Sequence, residues 1–339
     1  MAHPPVVLVD DQDPQIQYLC DTIHEQAAKS YYNKTWTTFF GNDCTNGWFN
    51  YTFYGTGIRI AASIAPPSWG ASYSVKLDDG DFVTQSGNGE YISPDLTDGQ
   101  HTVTYAVQAG RSQSYFPAFD YLAVTPGSTT PLVGRTLAVD DADDSIVYSG
   151  KWTDSPPIPL TSAALASMYD NTTHWTSTIG DSLQFKFEGS SVSVFGIITN
   201  STLGNITATY TLDGVSQLQG LPQGTLDSLP MANLFHANVQ PGSHTLVVNV
   251  TQIKAPQALG IDFIAYNATS NTVTPISGAI STDGALGAAS KAGIAIGVIA
   301  FVALLGSLFV VFRKRYRRNV NPKFRLPDFE PGLKNPVPW

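Results

Sequence analysis

The sequence predicts a mainly β chain: two tandem antiparallel β-sandwiches followed by one transmembrane helix. Three observations predict it. Six short segments of residues 1–125 recur in the same order in residues 135–267. Those segments alternate apolar and polar residues with period two. Residues 292–312 form one long apolar run without a charge.

The repeats come first. VLVDDQDPQIQY (7–18) matches LAVDDADDSIVY (137–148), and YYNKTWTTF (31–39) matches YDNTTHWTST (169–178). FYGTGIRI (53–60) matches FEGSSVSVFG (187–196), and YSVKLDDG (73–80) matches TYTLDGV (209–215). DGQHTVTYAV (98–107) matches PGSHTLVVNV (241–250), and AFDYLAV (118–124) matches GIDFIAY (260–266). Six matches in one order identify a tandem duplication. Its halves are 1–125 and 135–267, joined by the Pro/Gly/Thr linker PGSTTPLVG (126–134). Gly, Asp and Asn punctuate the strand-like segments at turn positions. Each half therefore reads as a sandwich of about eight strands. The apolar-poor stretches 19–50 and 149–182 are expected to be loops at one end.

The span comes next. Residues 291–312 are the predicted transmembrane helix, and the charge-free part, AGIAIGVIAFVALLGSLFVVF (292–312), measures about 31 Å as a helix. No polar face interrupts it, unlike a soluble core helix. RKRYRR (313–318) follows at once, which places that end in the cytoplasm and against anionic lipid headgroups. The bilayer is thus the first expected partner. Gly293 and Gly297 form a small-residue pair that suits either a weak helix–helix dimer or ordinary membrane-helix filling. The net charge of −9 divides unevenly: residues 313–339 carry eight Lys/Arg against two acids, leaving −15 for the rest. An acidic ectodomain has no footprint for nucleic acid. Residues 268–290 read as a Ser/Thr/Gly stalk, and 313–339 as a basic cytoplasmic tail. The expected address is the plasma membrane, with the N-terminal side outside. MAHPPVVLVDD has neither the basic nor the apolar region of a signal peptide, so a start upstream of Met1 is expected.

The opening VDD…I.Y, the F.G..I/F.G..V.VFG strand, the Y…LDG hairpin, the DG.HT/PGSHT strand entry and the closing FDYLAV/IDFIAY strand resemble a known arrangement. It is that of the galactose-binding-like jelly-roll domains found in tandem in fungal single-pass surface proteins. The resemblance covers about four-fifths of the chain. It implies a jelly-roll fold and recognition of glycan or another ligand at loop ends. Repeat 2 lacks the cysteine pair and the loops diverge, so it does not imply one ligand site shared by both repeats.

Several residues invite a chemical reading. Cys20 and Cys44 are the two cysteines, and outside the cell they are expected to pair rather than remain buried thiols. Such a loop is worth about 3 kcal/mol in the chain-entropy model. Asp10, Asp11 and Asp13, with Asp140, Asp141, Asp143 and Asp144, have a spacing that suits weak Ca²⁺ ligation, but capped turns explain it more simply. No cofactor is expected. Trp36, Trp48, Trp152 and Trp175 lie in the long expected loops and are the speculative ligand-binding residues. The competing reading has Trp36 and Trp175, matched between repeats, plugging the cores. His101 and His244 share a strand-entry position and read as structural, as do Asp120 and Asp262. N-glycosylation sequons stand at Asn33, Asn50, Asn171, Asn200, Asn205, Asn249 and Asn267, with none in the tail. Asn33 and Asn171 are read as equivalent. No nucleophile elbow, zinc-protease helix, phosphate loop or dinucleotide fingerprint is present.

These features predict a non-enzymatic surface protein that binds carbohydrate or another extracellular ligand. The rival is a structural or sensor-type protein contacting the cell wall without a small ligand. A third, less favoured reading is a glycan-active enzyme. Binding predicts exposed aromatics at a concave site, the structural reading predicts those rings buried, and an enzyme predicts paired carboxylates in a cleft.

Overall fold

The computed structural model describes residues 4–26, 29–39, 43–108, 116–157, 159–160, 168–199, 205–220 and 228–271. The described residues fall within one compact unit, Met1–Gly278, and residues 279–339 lie outside the described residues. The predicted span 292–312, Gly293 and Gly297, the tail, Asn200 and the stalk beyond 271 lie outside them too. Among the described residues no helix is long and apolar enough to cross a membrane.

The described chain is mainly β and antiparallel. Repeat 1 supplies β1 (Val6–Asp10), β2 (Gln17–Tyr18), β3 (Thr22–Glu25), β4 (Trp36–Phe39), β5 (Asp43–Gly55) and β6 (Gly57–Ser63). It continues with β7 (Ser72–Leu77), β8 (Val83–Gln85), β9 (Tyr91–Ile92), β10 (Gly99–Gln108) and β11 (Ala118–Thr125). Repeat 2 supplies β12 (Thr136–Asp140), β13 (Ile146–Ser149), β14 (His174–Thr176), β15 (Ser182–Thr199), β16 (Thr207–Leu212), β17 (Val215–Gly220), β18 (Ser228–Gln252) and β19 (Ala258–Ala268).

In repeat 1 one sheet runs β2-β5-β10-β7-β8. The facing sheet runs β9-β6-β11-β1, with β4 and β3 continuing along the β1 edge of β11. Alternation sends Phe49, Tyr51, Phe53, Val103 and Tyr105 from the first sheet into one core with Val7, Val9, Ile60 and Leu122 from the second. Repeat 2 repeats the plan with fewer breaks. The first half of β15 pairs with β13 and with the second half of β18, while its second half pairs with β19 and with the first half of β18.

A glycine permits the passage between sheets in both halves. A Cβ on Gly55 would lie 2.5 Å from the Thr125 carbonyl, and one on Gly189 would lie 2.7 Å from the Asn267 carbonyl. Backbone therefore crosses backbone where no side chain fits.

The two halves are not separate bodies. β1 pairs antiparallel with β12 in the register Val6↔Ala138, Val7↔Leu137, Leu8↔Thr136. Val7 and Leu137 hold the same repeat position, so equivalent residues face each other across a pseudo-twofold axis. One sheet thus passes through both halves, and Ala268 N–H bonds to the Arg135 carbonyl behind the linker.

Two expectations need correction. Residues 19–50 are not a plain loop, because they contain β3, β4 and the start of β5, and β14 lies within 149–182. The alternation there is hidden, since Thr35 and Thr37 are buried through bonds to a carboxylate. The loop alignment also shifts. Thr37 pairs with Phe119 and His174 with Ile261, so Tyr32 is equivalent to Tyr169, Asn33 to Asp170 and Thr38 to Trp175. Trp36 and Trp175 are therefore not equivalent, nor are Asn33 and Asn171.

Candidate functional site

The core-facing side of β1 holds Val7 and Val9, so Leu8 must point from the other face of the shared sheet. On that face Leu8, Tyr121, Ala123, Ala138, Phe195, Phe263 and Ala265 form one apolar patch across the pseudo-axis. Each repeat covers it with one 3₁₀ turn. Tyr32 sits at the turn of repeat 1 and Tyr169 at that of repeat 2. Tyr32 packs across the seam against Phe195, 5.4 Å between centroids, and Phe263, 6.4 Å.

Buried carboxylates fix both turns. Asp120 Oδ1 accepts from the Tyr32 N–H and Asp262 Oδ1 from the Tyr169 N–H, each at 2.9 Å. Burial pushes both carboxyls well above the usual range. Asp262 Oδ2 has no hydrogen-bond partner among the described residues. Asp11 accepts from Thr35 Oγ1 at 2.6 Å and Thr37 Oγ1 at 2.5 Å. Burial raises its pKa from 3.8 to about 7, against the pull of those hydroxyls. Asp140 rises to about 6 through burial and the neighbouring Asp141. Asp141 holds Thr172 Oγ1 at 2.7 Å and His174 Nδ1 at 2.5 Å.

The acidic clusters accordingly brace the turns. Asp10 holds the Gln12 N–H and Asn33 Nδ2, while Asp13 and Asp143 cap the Gln15 and Ser145 N–H groups. Among the described residues no group of three acidic, His or Cys side chains is placed to hold a metal ion. Asp10, Asp11, Asp140 and Asp141, the weak Ca²⁺ candidates, direct oxygens at hydroxyl, amide and imidazole donors.

The seam also opens a groove of about 340 Å³. Tyr32, Asn33, Ser193, Phe195, Asn233 and His236 are among its walls, and among the described residues no Lys, Arg, Asp or Glu lines it. Ser193 Oγ lies 2.8 Å from His236 Nδ1. The site thus offers an aromatic floor, two amides, a hydroxyl and an imidazole. A second cleft of about 330 Å³ lies beside the linker, where Tyr51, Tyr54, Gln100 and Arg135 meet.

The tryptophans predicted as ligand contacts are elsewhere. Trp48 is fully buried against Phe39, Phe49 and Phe119, and Trp175 is 1% exposed. Both close cores and present no face to a ligand, which corrects their reading as contacts. Trp36 is half-buried and stacks on Tyr31 at 5.5 Å. Trp152, also half-buried, donates Nε1–H to the Ser149 and Ser182 carbonyls. Cys20 and Cys44 form a disulfide. The sequon residues Asn33, Asn171, Asn205 and Asn249 are exposed, while Asn50 and Asn267 are half-buried.

His101 and His244 are equivalent clamps. Each faces a carboxylate through Nδ1 (Asp78 at 2.8 Å, Asp213 at 2.6 Å) and a carbonyl through Nε2 (Thr97 and Gln240, both 2.7 Å). A carbonyl and an ionised carboxylate can only accept, so this setting favours the imidazolium, in which both ring nitrogens donate. The Thr97 carbonyl and Asp78 raise the pKa of His101. For His244, burial opposes the charge, but Asp213 and the Gln240 carbonyl outweigh it.

No family model and no curated protein matches the sequence. Solved structures give loose likenesses. A two-domain esterase active on acetylated mannans is 15% identical, over 43% of this chain and 40% of that one, with a TM-score of 0.32. A family two carbohydrate esterase from Cellvibrio japonicus is 12% identical, over 40% and 34%, at 0.28. The CBM22 tandem domain of Paenibacillus barcinonensis Xyn10C is 10% identical, over 80% and 99%, at 0.26. The chain thus spans less than half the length of the two esterases. These TM-scores are too low to assign function, and the fold rests on the strand registers given above.

Proposed function

We propose that the chain is a single-pass cell-surface protein. Its ectodomain, a tandem of galactose-binding-like jelly rolls, binds a carbohydrate or another hydroxyl-rich extracellular ligand without transforming it. The observation that carries this reading is the groove at the seam, where aromatic rings, amides and a hydroxyl meet with no Lys, Arg, Asp or Glu among the described lining residues. A hydroxylated ring pairs apolar C–H faces with polar edges, and this wall offers both. The described lining is neutral hydroxyls, amides and rings, which suits recognition of a hydroxylated ligand. The membrane part rests on the apolar run 292–312 and the basic RKRYRR behind it. The exposed sequons at Asn171, Asn205 and Asn249 agree with an extracellular N-terminal side.

A second reading, a structural or sensor-type wall-contact protein, draws support from one observation: Trp48 and Trp175 are buried in cores. A glycan array probed with the intact chain separates the two. Specific signal on a neutral wall oligosaccharide supports recognition, and silence across the array leaves the structural reading in its place. Protease protection in sealed vesicles, with glycosidase-sensitive mobility, tests the topology.

A further inference from the structure

The pseudo-axis makes every feature of the seam occur twice, so differences between the two copies are informative. Arg59 pairs with Ala123 in the register where Ser193 pairs with Ala265, so Arg59 and Ser193 occupy equivalent places. Asp170 and Asn33 are likewise equivalent. On one side Arg59 lies with Cζ 5.6 Å from the Tyr169 ring centroid, its Nη1 3.3 Å from Asp170 Oδ1 and its Nε 2.6 Å from Glu90 Oε1. Side chain and ion pairs fill that space. On the other side a serine replaces the arginine and an amide replaces the carboxylate, and the groove of about 340 Å³ stands there.

We infer that the seam holds a single ligand site per chain, on the Ser193 side, and that Arg59 with Asp170 plugs its twin. The inference rests on the recognition reading above and names the site and ligand class. The ligand is a neutral hydroxylated ring, such as one residue of a hexose polymer. Among the described residues no Lys or Arg lines the groove to receive an acid, and the Asp10 carboxylate, bonded to Asn33 Nδ2 at 2.7 Å, repels one. The volume lies at the low end for ligand pockets, about 300–1,000 Å³. It takes one ring or a chain end, not a long stretch.

The test uses the intact chain and titration calorimetry with neutral gluco-, manno- and galacto-hexasaccharides and with oligogalacturonate. Wild type is expected to bind a neutral hexasaccharide at one site per chain. S193R/N33D, which transplants the plug, is expected to weaken that binding by about tenfold or more. H236A, at the exposed rim, is expected to weaken it too and decides the matter if the double variant fails to fold. Two sites per chain, a preference for oligogalacturonate, or undiminished affinity in a folded S193R/N33D or H236A would overturn the assignment while leaving recognition elsewhere standing. Silence of wild type toward every probe would overturn the recognition reading and this assignment together.

Discussion

Replacing Asp11 with asparagine should make the fold more stable at pH 8 and leave it nearly unchanged at pH 4. Asp11 is fully buried, and burial lifts its pKa from 3.8 to about 7. Between those values the folded chain holds a proton that the unfolded chain has lost. Stability from this group is therefore complete below about pH 4 and lost as pH rises toward 7. At about 1.4 kcal/mol per pKa unit the loss is a little over 4 kcal/mol at pH 8. Asparagine cannot ionise, and its amide can accept from one of the Thr35 and Thr37 hydroxyls while donating to the other. Urea unfolding of residues 1–278, followed by tryptophan fluorescence at pH 4, 6 and 8, measures the difference. With a slope of about 2–3 kcal/mol/M, the D11N midpoint at pH 8 should exceed wild type by roughly 1.5–2 M. Asp140, Asp120 and Asp262 are also raised by burial, so wild type itself should lose stability from pH 4 to 8. A D11N chain no more stable than wild type at pH 8, with the same pH slope, would refute the reasoning.

Three further expectations concern stability and charge. Trp48→Ala should cost about 3–5 kcal/mol in chemical unfolding, because it empties a fully enclosed ring site, whereas Trp36→Ala, half-exposed, should cost about 1 kcal/mol. Gly189→Ala should cost about 1–3 kcal/mol, since its methyl would press on the Asn267 carbonyl; an unchanged thermal midpoint would show that the sheets can separate there. His101 and His244 should titrate above 6.5 by NMR. The stability they give is present below that pH and disappears as pH rises through their raised values, so H101Q/H244Q should remove the alkaline part of the stability loss.

The duplication, the strand pattern and the paired histidines were legible because each leaves a local mark: period two, a glycine turn, a recurring motif. β4 was not, because its inward residues include threonines, which read as solvent-facing until Asp11 is placed behind them. The alignment of the turns slipped for a related reason. Thr- and Asn-rich stretches match at several offsets, and only the ladders Thr37–Phe119 and His174–Ile261 fix the register. The groove was missed because Asn233 and His236 fall outside all six matched segments and Ser193 looks like any outward strand residue. One signal was available. VVLV (6–9) and the FIAY of β19 (263–266) are apolar at successive positions, which marks strands buried on both faces and hence a layer beyond the sandwich.

The β1–β12 ladder also bears on why the duplication persists. A strand such as Val6–Asp10, bonded on one side to β11, would end its sheet with a row of bare amide and carbonyl groups beside an apolar surface, an invitation to other chains. Each half hides this edge in the other. A single half, cut at residues 126–134, would carry the same strand uncovered and should recover its partner by pairing with a second copy of itself, so that the severed module is a dimer where the intact chain satisfies the contact internally.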